Sequence, residues 1–237
     1  MDLLAPQEEL YGQLLLYLQE FSYKNLPFYN DFKNRWNKVL YDNTKNPIVS
    51  NERCNVEGQL YTITTSLITG FEIDFHFDIT NIRNQYFEEC QKEINRFFYP
   101  KTIDLQNKKE ITFNGYKCLY RYFAENERKR KYDSDPIFMS LIPLLPKKFF
   151  IIDGNHRVSA LVDDGNEQIT TFLINPYFLP YFMISSAEMV AYSLLVDALT
   201  INEANKRNQI QSVKECLIIF NEHSVLELLK AMGRIQS

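Results

Sequence analysis

Glycine, histidine, tryptophan and cysteine are all scarce in this chain of 237 residues, which holds 7 Gly, 3 His, 1 Trp and 4 Cys. Few glycines beside 15 Tyr and 18 Phe describe a packed chain rich in regular elements. No two of Cys54, Cys90, Cys118 and Cys216 stand close enough for a zinc-type pair, so four reduced, mostly buried thiols are expected. No apolar run approaches the roughly 20 residues that cross a bilayer. The longest candidate, FLINPYFLPYFMISS, is broken by Pro176 and Pro180. The opening MDLLAPQEEL has no basic region and carries acids early, unlike a signal peptide, so a cytoplasmic location without membrane association is expected. An excess of base is also missing. A net charge of -4 and a pI near 5.5 argue against a surface coated for nucleic acid, although a local basic patch remains compatible with them.

What is present suffices for a core. The chain is 45% hydrophobic and 24% charged, which fits one large domain or two small ones and not wholesale disorder. Leu10, Leu14, Leu15 and Leu18 lie at helical spacing over 7–20. A second helix over 30–43 is expected, capped by Asn30, with Phe32, Trp36, Val39 and Leu40 on its apolar face and Trp36 as a core anchor. QLYTITTSLITGFEIDFHFDIT reads as a hairpin turning at Gly70. Its second half alternates, with Phe71, Ile73, Phe75, Phe77 and Ile79 on one face and Glu72, Asp74, His76 and Asp78 on the other. Asp74, His76 and Asp78 have types that could ligate a metal, but the expectation is a solvated outer face with no metal. Thr80 is expected to cap a helix carrying Ile82, Tyr86, Phe87, Cys90 and Ile94 in one stripe, ended near Pro100. Asn114-Gly115 marks a tight turn. The stretch YKCLYRYFAENERKRK reads as a helix whose basic end, Arg128 to Lys131, complements the helix dipole, with a phosphate-facing patch as the alternative. Strand, loop and strand follow over 135–153, then a short helix, a strand QITTFLINP and two C-terminal helices from Ser186.

The stretch FFIIDGNHRVSALVDDG, Phe149 to Gly165, carries the chemistry. KFFII suits a strand buried on both faces. RVSALVDDG suits a helix with Val158, Leu161 and Val162 inward and Gly165 as its stop. Gly154 allows a sharp turn and a close ligand. The first N–H groups of a helix lack internal partners and sit at its positive end, which favours an anion. Arg157, expected to face solvent, offers a planar fork for phosphate oxygens. His156 adds a donor, and a charge when protonated. Asn155 can cap the helix or bind a ligand, and Asp153 can bind a hydroxyl, a metal ion or the turn itself. The alternative is an ordinary Asp-Gly turn before a capped helix.

IIDGNHRVSALVDDGNEQITTFLIN resembles the core of the ParB/sulfiredoxin superfamily, in which a strand leads into a G-x-x-R loop, a helix and a further strand. Gly154, Arg157 and Ala160 fall on those positions. His156-Arg157 matches the His-Arg pair of sulfiredoxins, and Asp-Gly-Asn-His-Arg is similar to the DGQHR group, which includes DndB-like proteins of DNA phosphorothioation systems. The similarity covers about residues 135–176. It implies a nucleotide-phosphate pocket for ATP or CTP with Mg²⁺. Gly154, His156 and Arg157 would bind phosphate, joined by Asn155 on its own reading as a loop residue that can hydrogen-bond a ligand, and Asp153 would orient an acceptor hydroxyl or a divalent ion, so the protein would be an NTP hydrolase or a phosphotransferase. Two departures matter. Asn155 stands where sulfiredoxins carry Cys, which removes sulfinic-acid repair. No basic recognition helix follows the motif, which counts against DNA partitioning. The non-enzymatic alternative is a DNA- or nucleotide-responsive regulator of a defence or mobile-element system, with DNA disfavoured by charge; a degenerate scaffold is a third reading. The fold expected from the whole chain is α+β: a small mixed sheet with helices, ParB/sulfiredoxin-like, elaborated by N-terminal helices and a β-hairpin and by C-terminal helices that could form a homodimer. The expected divisions are 1–110, 111–185 and 186–237, unless one compact domain holds all three.

Overall fold

The computed structural model describes residues 7–20, 29–45, 59–67, 70–94, 96–106, 110–128, 136–142 and 148–207, with 212, 224, 227, 228 and 231 as isolated positions. The protein is α+β. In chain order its described elements are α1 (Gln7–Glu20), α2 (Tyr29–Lys45), β1 (Leu60–Ser66), β2 (Glu72–Asp78), α3 (Ile79–Gln91), β3 (Phe98–Gln106), β4 (Glu110–Phe113), β5 (Tyr116–Leu119), β6 (Phe138–Leu141), β7 (Lys148–Asp153), α4 (Asn155–Asp163), β8 (Gln168–Ile174) and α5 (Ser186–Lys206). Among the described residues no helix is long and apolar enough to cross a membrane.

The chain divides into two compact units, both discontinuous in sequence. One comprises Met1–Glu57, Thr62–Phe77 and Met183–Ser237, and the other Gly58–Tyr61 and Asp78–Phe182. The boundary expected near residue 110 falls inside the second unit, because α3 and β3 belong with the strands that follow.

In the first unit, α1 buries Leu10, Tyr11, Leu14 and Tyr17, and α2 buries Phe32, Trp36 and Leu40. Both sets recur every three or four residues, as a one-sided helix requires. Trp36 is fully buried, as expected of a core anchor. Asn30 lies inside α2, which begins at Tyr29, so it is not the cap. Helix α5 is buried at every position from Glu188 to Ala198. A helix buried all round sits within a core. It has no exposed apolar stripe over that stretch for a second copy. Most of the second expected C-terminal helix lies outside the described residues.

Strand β1 and strand β2 form a two-stranded sheet. Their turn is closed by Leu67 N–H donating to Phe71 O at 2.8 Å. The expected solvated face of β2 is corrected in its second half. Glu72 and Asp74 are exposed, but His76 and Asp78 are buried along with Phe75 and Phe77. Pairing continues past the strand on the other side, with Ile184 N–H donating to His76 O and Phe77 bridging to Met183.

The second unit is built on a closed six-stranded barrel in the order β3-β4-β5-β7-β6-β8, with β8 returning to β3. Pairing is mixed: β5 with β7 and β6 with β8 are parallel, and the other described pairs are antiparallel. The turn between β4 and β5 is the expected Asn114-Gly115, both at positive φ (49° and 77°), the geometry of a two-residue hairpin turn. Ile103, Ile111, Cys118, Met139, Phe149, Ile151 and Ile169 from six strands pack with Val158 and Val162 of α4 in one cluster. A second aromatic layer gathers round Tyr86 of α3, whose ring lies 5.6 Å from Phe98, 5.4 Å from Phe138 and 4.6 Å from Phe172. That layer fixes α3 on the strands β3, β6 and β8.

Three expectations on this side are corrected. Asp78, not Thr80, caps α3, its Oδ1 accepting from Asn81 N–H at 2.9 Å. Helix α3 ends at Gln91, and Phe98 opens β3 instead of prolonging the helix; of the expected apolar stripe, Phe87 and Cys90 within the helix and Ile94 beyond it are exposed. Residues 116–128 are not a helix but β5, a loop and one 3-10 turn at Glu125–Glu127. Sheet pairing of Tyr116–Leu119 with β4 and β7 overrides their helical spacing. Lys129 to Lys131 lie outside the described residues.

Candidate functional site

Strand β7 leads into α4 through a single residue, as the sequence predicts, and Gln168–Ile174 is a strand of the same barrel. The last three residues of β7 are all buried. A charged side chain at the end of such a strand must find a partner. Asp153 finds one 70 residues away. Its Oδ2 accepts from Arg83 Nε at 2.7 Å, and its Oδ1 accepts from Arg83 Nη2 at 3.0 Å and from Gly154 N–H at 2.7 Å. Arg157 Nη2 stands 3.9 Å from Oδ2. The carboxylate is thus gripped by the side-on fork of one arginine with a second guanidinium beside it.

Gly154 caps α4 with φ 95° and ψ 14°, in the left-handed region that disfavours other residues. The expected close approach at Gly154 is real, but the neighbour is the protein itself. A Cβ here would lie 2.8 Å from Ile137 Cγ1 and 3.0 Å from Arg157 Nη2. The segment before β6 therefore covers the turn. Arg157 also donates to Pro136 O, and its side chain is only 15% exposed. This corrects the expectation of a solvent-facing arginine: Nη2 is turned to Pro136 O and toward Asp153, and the long side chain packs along the turn.

Asn155 is the first helical residue, not the cap. Its Nδ2 donates to Ile151 O at 3.1 Å, and its Oδ1 accepts from Arg121 N–H at 2.8 Å. His156 stacks on Phe123, ring centres 3.7 Å apart and 22° from parallel, and the Arg121 guanidinium lies over the same Phe123 ring at 4.9 Å. Ser159 Oγ accepts from Phe123 N–H at 3.0 Å and donates to Asn155 O at 2.7 Å. Tyr122 Oη donates to both oxygens of Asp163 at 3.0 Å, and Arg128 pairs with the same carboxylate. The hydrogen bond to Asp163 is the main reason the Tyr122 phenol is raised above its usual range. The loop after β5 is therefore strapped along the polar side of α4 by side chains from each of its turns.

The five sequence-chosen residues, Asp153 to Arg157, share one turn, and Arg83, Arg121 and Phe123 join them. Arg128, first of the basic run in the sequence, lies further along α4 at Ser159 and Asp163. Sequence reasoning missed Arg83, Arg121 and Phe123. The only signal for Arg83 was that an acid closing a strand buried on both faces needs a cation. Phe123 was hidden by the helical reading of its segment.

The fit of an Mg²⁺ ion to Asp153 is poor. Arg83 and the Gly154 N–H already occupy its oxygens, and two guanidinium groups repel a cation. On β2, His76 and Asp78 have structural partners as well, and Asp74 accepts from Thr64 Oγ1 at 2.6 Å. Of the cysteines, Cys118 is buried, which pushes its thiol up to about 12, and Cys90 is exposed; Cys54 and Cys216 lie outside the described residues. No family model, curated protein or solved structure matches the chain.

Proposed function

We propose that this is a nucleotide-phosphate-binding protein of the ParB/sulfiredoxin type, with the turn between β7 and α4 as its anion end. One observation carries the reading: a buried strand passes through a left-handed glycine into a nine-residue helix, and the guanidinium groups of Arg83 and Arg157 gather at that junction. Backbone N–H groups, helix dipole and fixed planar cations together favour phosphate oxygens. Arg157 is the anchor, His156 a lesser donor, and Gly154 and Asn155 shape the turn. The mixed strand pairing of the unit is compatible with the fold that the sequence resemblance implies.

A non-enzymatic, nucleotide-responsive regulator is favoured over an NTP hydrolase or phosphotransferase by a second observation. Asp153, the one carboxylate of the motif turn, is 4% exposed and held by Arg83, so it is badly placed to take a proton from an acceptor. A thermal-shift screen with ATP, CTP, GTP and UTP, with and without Mg²⁺, tests the reading. A nucleotide at 100 times its Kd raises stability by about 2.7 kcal/mol. Phosphate release with a bound nucleotide would restore the enzymatic alternative, and no stabilisation by any nucleotide would leave the scaffold reading.

A further inference from the structure

Asp153 occupies an arrangement of donors that would also suit a phosphate. Its two oxygens take the Nε and Nη2 edge of Arg83 and the Gly154 N–H, with Arg157 Nη2 at 3.9 Å. A carboxylate and one edge of a phosphate offer a guanidinium the same pair of acceptors. The exposures are graded: the Arg83 side chain is 31% exposed, that of Arg157 15% and that of Asp153 4%. Solvent meets the arginines before the acid behind them. A phosphoryl group there would meet two guanidinium groups and the positive end of α4, which a neutral ligand would not use.

We infer that Arg83 is the second guanidinium of the anion site, and that Asp153 is its resident counter-ion, with which an incoming phosphate competes. This rests on the phosphate-binding reading of the turn and reverses the role that the motif suggests for Asp153. A carboxylate that orients an acceptor or holds a metal helps the ligand. A counter-ion opposes it, and removing its charge strengthens binding.

The test is calorimetric titration of the full chain with Mg·ATP, Mg·CTP and inorganic tripolyphosphate, the last reporting the phosphate contact without a base. Asp153→Asn is expected to bind at least about tenfold more tightly than the parent, the lower range of one charged hydrogen bond. Arg83→Gln is expected to weaken binding at least about tenfold on the same scale. Arg83→Gln leaves a buried acid without its fork, so two further variants guard against misfolding. Arg83→Lys keeps the charge and loses the planar fork, and the double variant Arg83→Gln/Asp153→Asn replaces the ion pair by a neutral one. Both should keep the parent's circular dichroism spectrum and bind more weakly than Asp153→Asn alone. Loss of binding in Asp153→Asn, or parent-like affinity in every Arg83 variant, overturns the inference, while binding that still depends on Arg157 leaves the phosphate reading intact. If neither the parent nor Asp153→Asn binds any of the three probes, both fail together.

Discussion

The two units each contain a strand whose end is tied to a distant helix by a buried carboxylate, and the two ties differ in one instructive way. In the barrel unit Asp153 of β7 meets Arg83 of α3. In the other unit Glu188 of α5 takes two bonds from His76 of β2, from the backbone N–H to Oε2 at 2.8 Å and between Nδ1 and Oε1 at 3.1 Å. His76 and Glu188 side chains are 7% and 3% exposed, so the tie is sealed. Arg83 is 31% exposed, so its tie opens to solvent on the cation side. A sealed pair can only hold the fold together. An open pair with a permanent cation can also exchange partners. This is why the barrel unit, and not the β2–α5 pair, is assigned the site.

The comparison breaks most readily at the sealed pair. Glu188→Ala should cost about 3–5 kcal/mol in urea unfolding, the penalty for leaving buried polar groups without their charged partner. A loss below 1 kcal/mol would mean that water reaches His76. At the open turn, Gly154→Ala should cost about 2–4 kcal/mol. It joins a left-handed backbone, about 1–2 kcal/mol, to a clash with Ile137 of similar size. Gly165→Ala is the control, since Gly165 has φ 74° but nothing within 4 Å of its added Cβ, and only the backbone cost applies. Equal losses at the two glycines would show that Ile137 does not cover the turn.

A gentler probe is pH. The His76 imidazole is raised above its usual value, first by the hydrogen bond to Glu188 and then by the charges of Glu188 and Asp74, against the opposing pull of burial. A folded-state value above the unfolded one means that the charged pair contributes its full stability below about pH 6.5. That contribution fades as pH rises through the raised folded-state value. Unfolding of the parent and of His76→Gln, compared from pH 6 to pH 9, should therefore converge as pH rises. Curves that stay parallel would place a neutral imidazole opposite Glu188 throughout. The smallest effect is expected at the exposed Lys92–Glu88 pair on α3, where Lys92→Ala should shift stability by no more than about 0.5 kcal/mol.

Local pattern was enough to read much of this architecture. Helix α1, the turn at Asn114-Gly115, the passage of β7 through Gly154 into α4, and β8 all follow from periodicity and turn chemistry, which act within a few residues. What stayed hidden depends on partners far along the chain. Nothing near His76 announces Glu188, 112 residues on, so an alternating strand looked half-solvated. Nothing near Asp153 announces Arg83. Tyr116–Leu119 carries helical spacing, yet β4 and β7 draw it into the barrel, and the strap over His156 disappears from view with that misreading. The closure of six strands into a barrel is likewise a matter of long-range pairing, β3 with β8, which no local window contains.

The most direct measurement is the affinity of Mg·ATP and Mg·CTP for the parent and for Arg157→Ala and Arg157→Lys, by isothermal titration. Arg157 donates to Pro136 O and is mostly buried, so the alanine variant should itself lose about 1–3 kcal/mol of stability, and the lysine variant serves as the charge-keeping control. The account predicts that Arg157→Ala binds roughly 10- to 150-fold more weakly than the parent, the worth of a charged hydrogen bond, with Arg157→Lys between the two. Parent-like affinity in a folded Arg157→Ala, or a parent that binds neither nucleotide, would contradict it.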